Sequence, residues 1–287
     1  MEQPKTTSGT PSRFLQPGQA PVEPSPFLQP AEVPPKVKAE MSPKGAEIAA
    51  RLREIFYSYD NRKTSDNRSA QVTIGPSEIG TPCDRRLGLS LMRTPATNPG
   101  GDGWAAFVGT CLHDGLEKMF QWSDAGTGRF VTEMPLTFGS TYVPRGTGDL
   151  LDRTLMMFLD HKAMGQYSRR RLRDKGPSET YRVQVHTYAY GAVLEGEKVK
   201  HVAIVAWPRD GSSLDELWVW TEPYDKTIAE NALKRVDKLA GSLPLTGTWP
   251  EKLAAARSLP VADPYECRFC PFLLKGDGDM KKGCPGA

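Results

Sequence analysis

No stretch of this chain approaches the roughly 20 consecutive apolar residues needed to cross a membrane. Its opening, Met1-Glu2-Gln3-Pro4-Lys5, does not lead into an apolar leader core, so a cytoplasmic protein without membrane contact is expected. Internal repeats are missing. So is any Gly-x4-Gly-Lys-Ser/Thr phosphate loop, which excludes an ATP-driven motor from this polypeptide. Charge of one sign is scarce too: 37 Lys and Arg stand against 34 Asp and Glu, leaving a net +3 and a pI near 8.5. So small an excess hints at an anionic partner without demonstrating one. Only five cysteines occur. In a reducing compartment they read as metal ligands or plain thiols, not as a disulfide framework.

What is present suffices for a sizeable core. The chain has 287 residues, 38% of them hydrophobic, enough for one large domain or two small ones. Residues 1–44 hold ten of the 25 prolines and almost no periodic apolar pattern, so a disordered, solvated tail is expected there. The folded domain is expected over 45–287. It opens with a helix at 45–59, where Ile48, Leu52, Ile55 and Phe56 recur at helical spacing. A polar linker, a short extended segment at 74–79 and a helix carrying Leu87, Leu89 and Leu91 follow. A stronger helix spans 103–122. Strands are expected at 130–138, 147–151 and 155–161, a polar basic run at 168–176 and a helix at 177–194. Two more strands, 199–207 and 214–220, are joined by a Pro-Arg-Asp-Gly turn, and a helix at 225–241 ends on a glycine. Helices flanking a run of strands indicate an α/β class with a mixed central sheet, closed by a Cys-, Gly- and Pro-rich segment at 260–287.

The most informative residues lie on the central strands. Gly148-Asp149 is followed, eleven residues after that Asp, by Asp160-His161-Lys162. On a strand, residues two apart share a face, so Asp160 and Lys162 point the same way at the end of an apolar run. A turn around Asp152-Arg153-Thr154 lets a hairpin return Asp149 beside Asp160. Two carboxylates and a lysine suit phosphodiester hydrolysis: hard oxygens hold Mg²⁺ or Mn²⁺, and the ammonium orients a water and offsets negative charge. A surface salt bridge on a hairpin is the competing explanation. Gly109, His113 and Glu117 are spaced four apart on the preceding helix and share a face. The small residue there lets the helix approach the sheet, His113 offers an imidazole, and Glu117 a further carboxylate. Gln184 and Tyr188 are also four apart, and can bind a phosphate or hold the lysine.

In this order, Gly-x3-His-x3-Glu, Gly-Asp, Asp-x-Lys and Gln-x3-Tyr resemble the RecB-like branch of the PD-(D/E)XK nuclease superfamily, over about residues 75–287. The resemblance implies a restriction-endonuclease-like sheet and a metal-dependent DNA exonuclease acting in recombination, repair or phage DNA processing. It implies His113, Asp149, Asp160 and the backbone carbonyl of His161 as ligands of Mg or Mn. Lys162 would be the catalytic lysine, with Gln184 and Tyr188 the accessory pair. The second acid is often Glu in the family and is Asp160 here. DNA is the implied partner, with a recombination or single-strand-binding protein as a companion, in the cytoplasm of a bacterial or phage-infected cell. A subunit for CRISPR spacer capture is a narrower form of the same reading.

Cys267-x2-Cys270 and Cys284 cluster near the C-terminus, and Cys83 lies far upstream. The arrangement resembles the iron–sulfur members of that branch, the AddAB-type nuclease domains and CRISPR-associated exonucleases. It implies a [4Fe–4S] cluster on Cys83, Cys267, Cys270 and Cys284. Thiolate chemistry alone allows Zn²⁺ equally. Cys111 reads as a buried thiol. Arg169, Arg170, Arg171, Arg173 and Lys175 form a basic run fit for sequence-independent phosphate contacts, or simply for a solvated loop; Arg85 and Arg86 are further candidates for facing DNA. A zinc-stapled nucleic-acid-binding module without catalysis is the competing function.

Overall fold

The computed structural model describes residues 41–63, 74–98, 103–274 and 283–287. The expected tail lies almost wholly outside the described residues. The chain divides into two units, Met1–Leu52 and Arg53–Ala287, and the site lies in the second. Helix α1 spans Pro43–Lys63. Its apolar positions Ile48, Leu52 and Ile55 are exposed, and of the expected set only Phe56 is half-buried, its ring meeting those of Trp104 and Phe107 at 5.6 and 5.5 Å.

The second unit is built on five strands: β1 (Phe130–Thr137), β2 (Arg145–Asp152), β3 (Met157–Met164), β4 (His201–Pro208) and β5 (Trp218–Pro223). They lie in chain order, antiparallel except for the parallel pair β3 and β4. This is the mixed sheet flanked by helices that the sequence indicates. The parallel step needs a crossover, supplied by α5 (Gln166–Lys175) and α6 (Glu179–Leu194). The basic run expected as a loop is thus the helix α5, whose Leu172 is buried against the core.

Helix α4 (Trp104–Asp124) covers one face of the sheet, where Phe120 stacks on His161 with ring centroids 5.6 Å apart. Helix α6 covers the other, where Tyr188 meets Phe158. One close approach seats α6: a Cβ on Gly191 would lie 2.7 Å from the Phe138 ring. Within the sheet, a Cβ on Gly148 of β2 would lie 2.4 Å from Phe158 of β3. Gly109, expected to ease α4 onto the sheet, has nothing within 4 Å of an added Cβ, so it plays no such part. Ser178 caps α6 and Asp225 caps α7 (Lys226–Gly241), each side chain taking up an N–H that the first turn leaves unpaired. The 74–79 segment is not extended but contains the short helix α2 (Pro76–Ile79), with Pro76 in the first turn, where a missing N–H costs nothing.

A second, smaller core joins the chain's distant parts. Leu89 and Met92, from α3 (Asp84–Leu91) and its end, pack with Leu253 and Ala256 of α8 (Trp249–Arg257) and with Cys270, Phe272, Leu273 and Cys284. The pattern-based reading missed α8, which opens on a Thr248–Glu251 capping box.

Candidate active site

The β2–β3 hairpin is locked by its own turn. Asp152 accepts from the N–H groups of Thr154 and Leu155 at 2.9 and 3.1 Å, the side chain standing in for backbone partners. Arg129 donates to both of its carboxylate oxygens. The turn brings Asp149 and Asp160 onto neighbouring strands, and the N–H of His161 donates to Asp149 Oδ2 at 2.6 Å.

Strand alternation changes phase at this point. Val131 and Leu151 pack into the main core, and so do Met134 and Leu136. Opposite Met134, the Cα of Gly148 also faces Phe158 and Leu136. Inward residues three apart on both β1 and β2 break the period of two. In β1 the turnover falls on Glu133, whose φ is 45°, a left-handed conformation costly for a residue with a side chain. Glu133 thereby comes within reach of Asp149 and of His113 from α4. One ligand atom from each lies within 4.8 Å of the others, and His113 Nδ1 is 3.5 Å from Asp149 Oδ1.

The electrostatics are those of an acid-rich pocket. Burial and the neighbouring Asp160 push Asp149 up to about 8. Burial, with Glu117 and Asp114 nearby, raises Glu133. Burial, then the charge of Lys162, lowers His113, and burial holds His161 down to about 3, so both imidazoles are neutral. Asp160 is fully buried. Its Oδ1 accepts from Lys162 Nζ at 3.0 Å, and its Oδ2 lies 2.8 Å from the same nitrogen with no other partner among the described residues. A buried carboxylate compensated by one ammonium, beside a convergent set of carboxylates with an imidazole, offers the donor types that a hard divalent cation takes.

On the α6 face, Lys162 also donates to Gln184 Oε1 at 3.2 Å, and Gln184 Nε2 donates to the Tyr188 hydroxyl at 3.0 Å. The ammonium sits 5.0 Å from the centre of the Tyr181 ring. Burial pulls the Lys162 pKa down, but the attraction of Asp160 outweighs it, so the side chain is an ammonium. Burial and Asp160 push Tyr188 up to about 12, keeping it a neutral phenol.

The structure thus brings together His113, Asp149, Asp160, Lys162, Gln184 and Tyr188. It adds Glu133 and Tyr181, which sequence reasoning missed. Glu133 sits in a strand whose alternation gave no reason to single it out. The signal was its place on β1 beside Asp149 of β2, between the paired Thr132–Leu150 and Met134–Gly148, which needs the strand register. Glu117 lies near enough to act on Glu133, and accepts from Gln121 at 2.9 Å.

The remaining sites differ from expectation in part. Arg169 does not face solvent: its side chain is 6% exposed, pairs with Asp210 at 2.7 Å and with Glu216, and donates to the Met164 carbonyl. It ties α5 to the β4–β5 connection, because a buried guanidinium needs all its charge and donors met. Arg173 pairs with Asp174. Arg85 is turned inward, donating to the carbonyls of Ala256, Arg257 and Leu259. Cys111 is exposed, not buried. Cys83, Cys267, Cys270 and Cys284 line one cavity and are all free thiols. Cys83 Sγ accepts from the Arg86 N–H at 3.4 Å, Arg85 reaches Cys284 Sγ at 3.8 Å, and burial pushes the Cys270 thiol up.

No family model matches this chain, and no curated protein matches it in sequence. Among solved structures, the fold is similar to one titled SSO0001, at 16% identity over 77% of this chain and 93% of that one, with a TM-score of 0.43. It is also similar to an alkaline exonuclease, LHK-Exo, from Laribacter hongkongensis, at 12% identity over 60% and 88% of the two chains, TM-score 0.43. LHK-Exo in complex with dAMP gives 13% identity over 60% and 89%, TM-score 0.42. Likenesses this loose settle neither a function nor a site.

Proposed function

We propose that this protein is a divalent-metal-dependent deoxyribonuclease that removes nucleotides from DNA ends by phosphodiester hydrolysis. The observation that carries the reading is the convergence of His113, Glu133 and Asp149 beside a buried Asp160–Lys162 pair. Part-exposed acidic clusters are common, but this one adjoins a fully buried carboxylate paired with a fixed ammonium, and a buried charge pair beside further acids is costly to keep without a use.

His113, Glu133, Asp149 and Asp160 are the residues that would hold Mg²⁺ or Mn²⁺. When bound, such an ion supplies positive charge to the scissile phosphate and makes a water more acidic. The chain's own groups do the rest. The N–H of His161 orients the Asp149 carboxylate. Asp160 and Gln184 hold Lys162 from two sides, so its ammonium is aimed before substrate arrives and offsets charge that builds on the phosphate. Tyr188 fixes the Gln184 amide through its hydroxyl, which keeps the carbonyl end of that amide on the lysine.

The four cysteines are proposed to hold a [4Fe–4S] cluster. The four sulfurs line one cavity, where one zinc bound by all four could be held, as could a cluster that binds each thiolate at a different iron. Its role in this reading is to staple α3 to the C-terminal segment, whose own apolar contacts are few. No described helix is long and apolar enough to cross a membrane, and the proposed setting is the cytoplasm, with DNA as partner.

The test is digestion of end-labelled DNA by purified protein with Mg²⁺ or Mn²⁺. Stepwise shortening that disappears in Asp160→Ala is expected. Undiminished digestion by Asp160→Ala, or none by the wild type, overturns the reading in favour of a binding module in which Asp160 and Lys162 are only a buried ion pair. Iron and zinc analysis of anaerobically purified protein decides the cofactor.

A further inference from the structure

A groove runs between α5 and the cysteine-bearing segment. Its α5 wall carries Tyr167 and Arg171, its far wall carries Glu266 and Phe269, and Tyr181 lines it from α6. Tyr181 is also the residue whose ring lies 5.0 Å from the Lys162 ammonium, so the groove and the proposed catalytic centre share a wall residue. Two large rings stand out on its walls: Tyr167 is 73% and Phe269 67% exposed. They come from segments about a hundred residues apart in sequence, and neither ring contributes to the buried core. Tyr167 and Arg171 also line an adjoining depression with Arg170, Asp174 and Lys175. That places three basic side chains along the α5 side.

We propose that this groove binds one unpaired nucleic-acid strand, with bases stacked on Tyr167 and Phe269 and phosphates along Arg170, Arg171 and Lys175. The proposal deepens the nuclease reading and rests on it for the identity of the strand as substrate. Charge density sets the orientation. The α5 side carries Arg170, Arg171 and Lys175 with Asp174, and the far wall Glu266 beside Arg268, whose guanidinium lies 5.7 Å from the Phe269 ring, so the backbone follows the more basic α5 side and the bases turn toward Phe269. Aromatic faces meet bases only when these are unstacked from a partner strand, so such a groove selects single strands over duplex. Phe269 lies between Cys267 and Cys270, so the thiol cluster also sets one wall of the substrate path.

The experiment is fluorescence anisotropy with the full chain and a labelled oligothymidylate, against a duplex of equal length, in buffer without Mg or Mn. The wild type is expected to prefer the single strand. Tyr167→Ala and Phe269→Ala should each weaken it by roughly 5- to 150-fold, the range for loss of one stacked base. Phe269→Trp keeps a ring and should bind within about twofold of the wild type. Trp122→Ala, which removes an 83% exposed ring outside the groove, should change nothing. Melting curves establish that each variant folds, and Tyr167→Ala carries the test if Phe269→Ala does not. Equal binding by the alanine variants and the wild type, or tighter binding of duplex, overturns the proposal. Cleavage with Mg²⁺ is read separately. A wild type that cleaves while the alanine variants bind normally sinks the groove and leaves the nuclease. A wild type that binds single strands through these rings but never cleaves does the reverse.

Discussion

Glu133 and Asp149 lie on β1 and β2 between the paired positions Thr132–Leu150 and Met134–Gly148, where the alternation of both strands breaks, and bring carboxylate oxygens within 4.8 Å of each other. The left-handed backbone at Glu133 and the raised pKa of both carboxyls mean that the pairing costs stability. Strain and like charge held together in one spot point to a use. Glu133→Gln is expected to fold normally and to lose at least about tenfold in divalent-dependent cleavage. Glu133→Gly removes both the strain and the carboxyl. It should melt no lower than the wild type and be equally inactive. A Gly variant that keeps full activity would remove Glu133 from the site.

Lys162 neutralises a carboxylate that has no access to water. Lys162→Met therefore strands the Asp160 charge, and a loss of about 3–5 kcal/mol in urea unfolding is expected. Asp160→Asn combined with Lys162→Met should recover most of that stability, since no buried charge remains. Cleavage should be absent from both. Recovery of stability without recovery of cleavage separates the catalytic role of the pair from its structural one.

Asp149 makes stability depend on pH. Its carboxyl titrates near 8 in the folded protein against an ordinary 3.8, so between those values the folded state keeps a proton that the unfolded chain releases. The contribution is complete below the unfolded value and is lost as pH rises toward 8. Metal-free protein is expected to be less stable at about pH 9 than at about pH 6 by at least about 1.4 kcal/mol, one unit of that shift. Asp149→Asn should flatten the difference. A metal-free wild type equally stable at both would contradict the buried, repelled state of this carboxyl.

Arg169 and Arg170 are neighbours with opposite duties. Arg169→Ala should lower the melting temperature, because Asp210 and Glu216 lose their shared partner, while leaving the salt dependence of strand binding unchanged. Arg170→Ala should leave melting unchanged and reduce the slope of log affinity against log salt by about 1. Measuring both slopes distinguishes a packed arginine from one that meets phosphate.

The thiol cluster is expected to hold the C-terminal segment. Cys83→Ser and Cys270→Ser should lose bound metal, seen by absorption and elemental analysis. They should also admit limited proteolysis near residues 260–287, since a metal-dependent segment without its ion has little core left. Unchanged protease resistance would show that the small core around Leu89, Leu253 and Phe272 suffices alone.

Much of this was legible in the residue order. Apolar runs located most of the strands, the last of them lying at Trp218–Pro223 and not at 214–220, period-3.6 runs located the main helices, and the spacing of Asp149, Asp160 and Lys162 placed three functional groups on one hairpin. Those signals are local, and local backbone geometry is enough to read them. Burial was not legible. Ile48, Leu52 and Ile55 have a helical period yet stay exposed, whereas the arginine-rich α5 buries Arg169. A charged residue is buried only where partners such as Asp210 and Glu216, more than forty residues away, arrive to meet it. Sequence by itself determined which chemical groups the hairpin carries and that four thiols bracket the domain. Tertiary structure alone decided that Glu133 joins Asp149, that Tyr181 meets Lys162 and that Phe269 shares a groove with Tyr167. Each of those pairings depends on strand register or on contact between distant elements, and such contacts leave no trace in the spacing of residues along a chain.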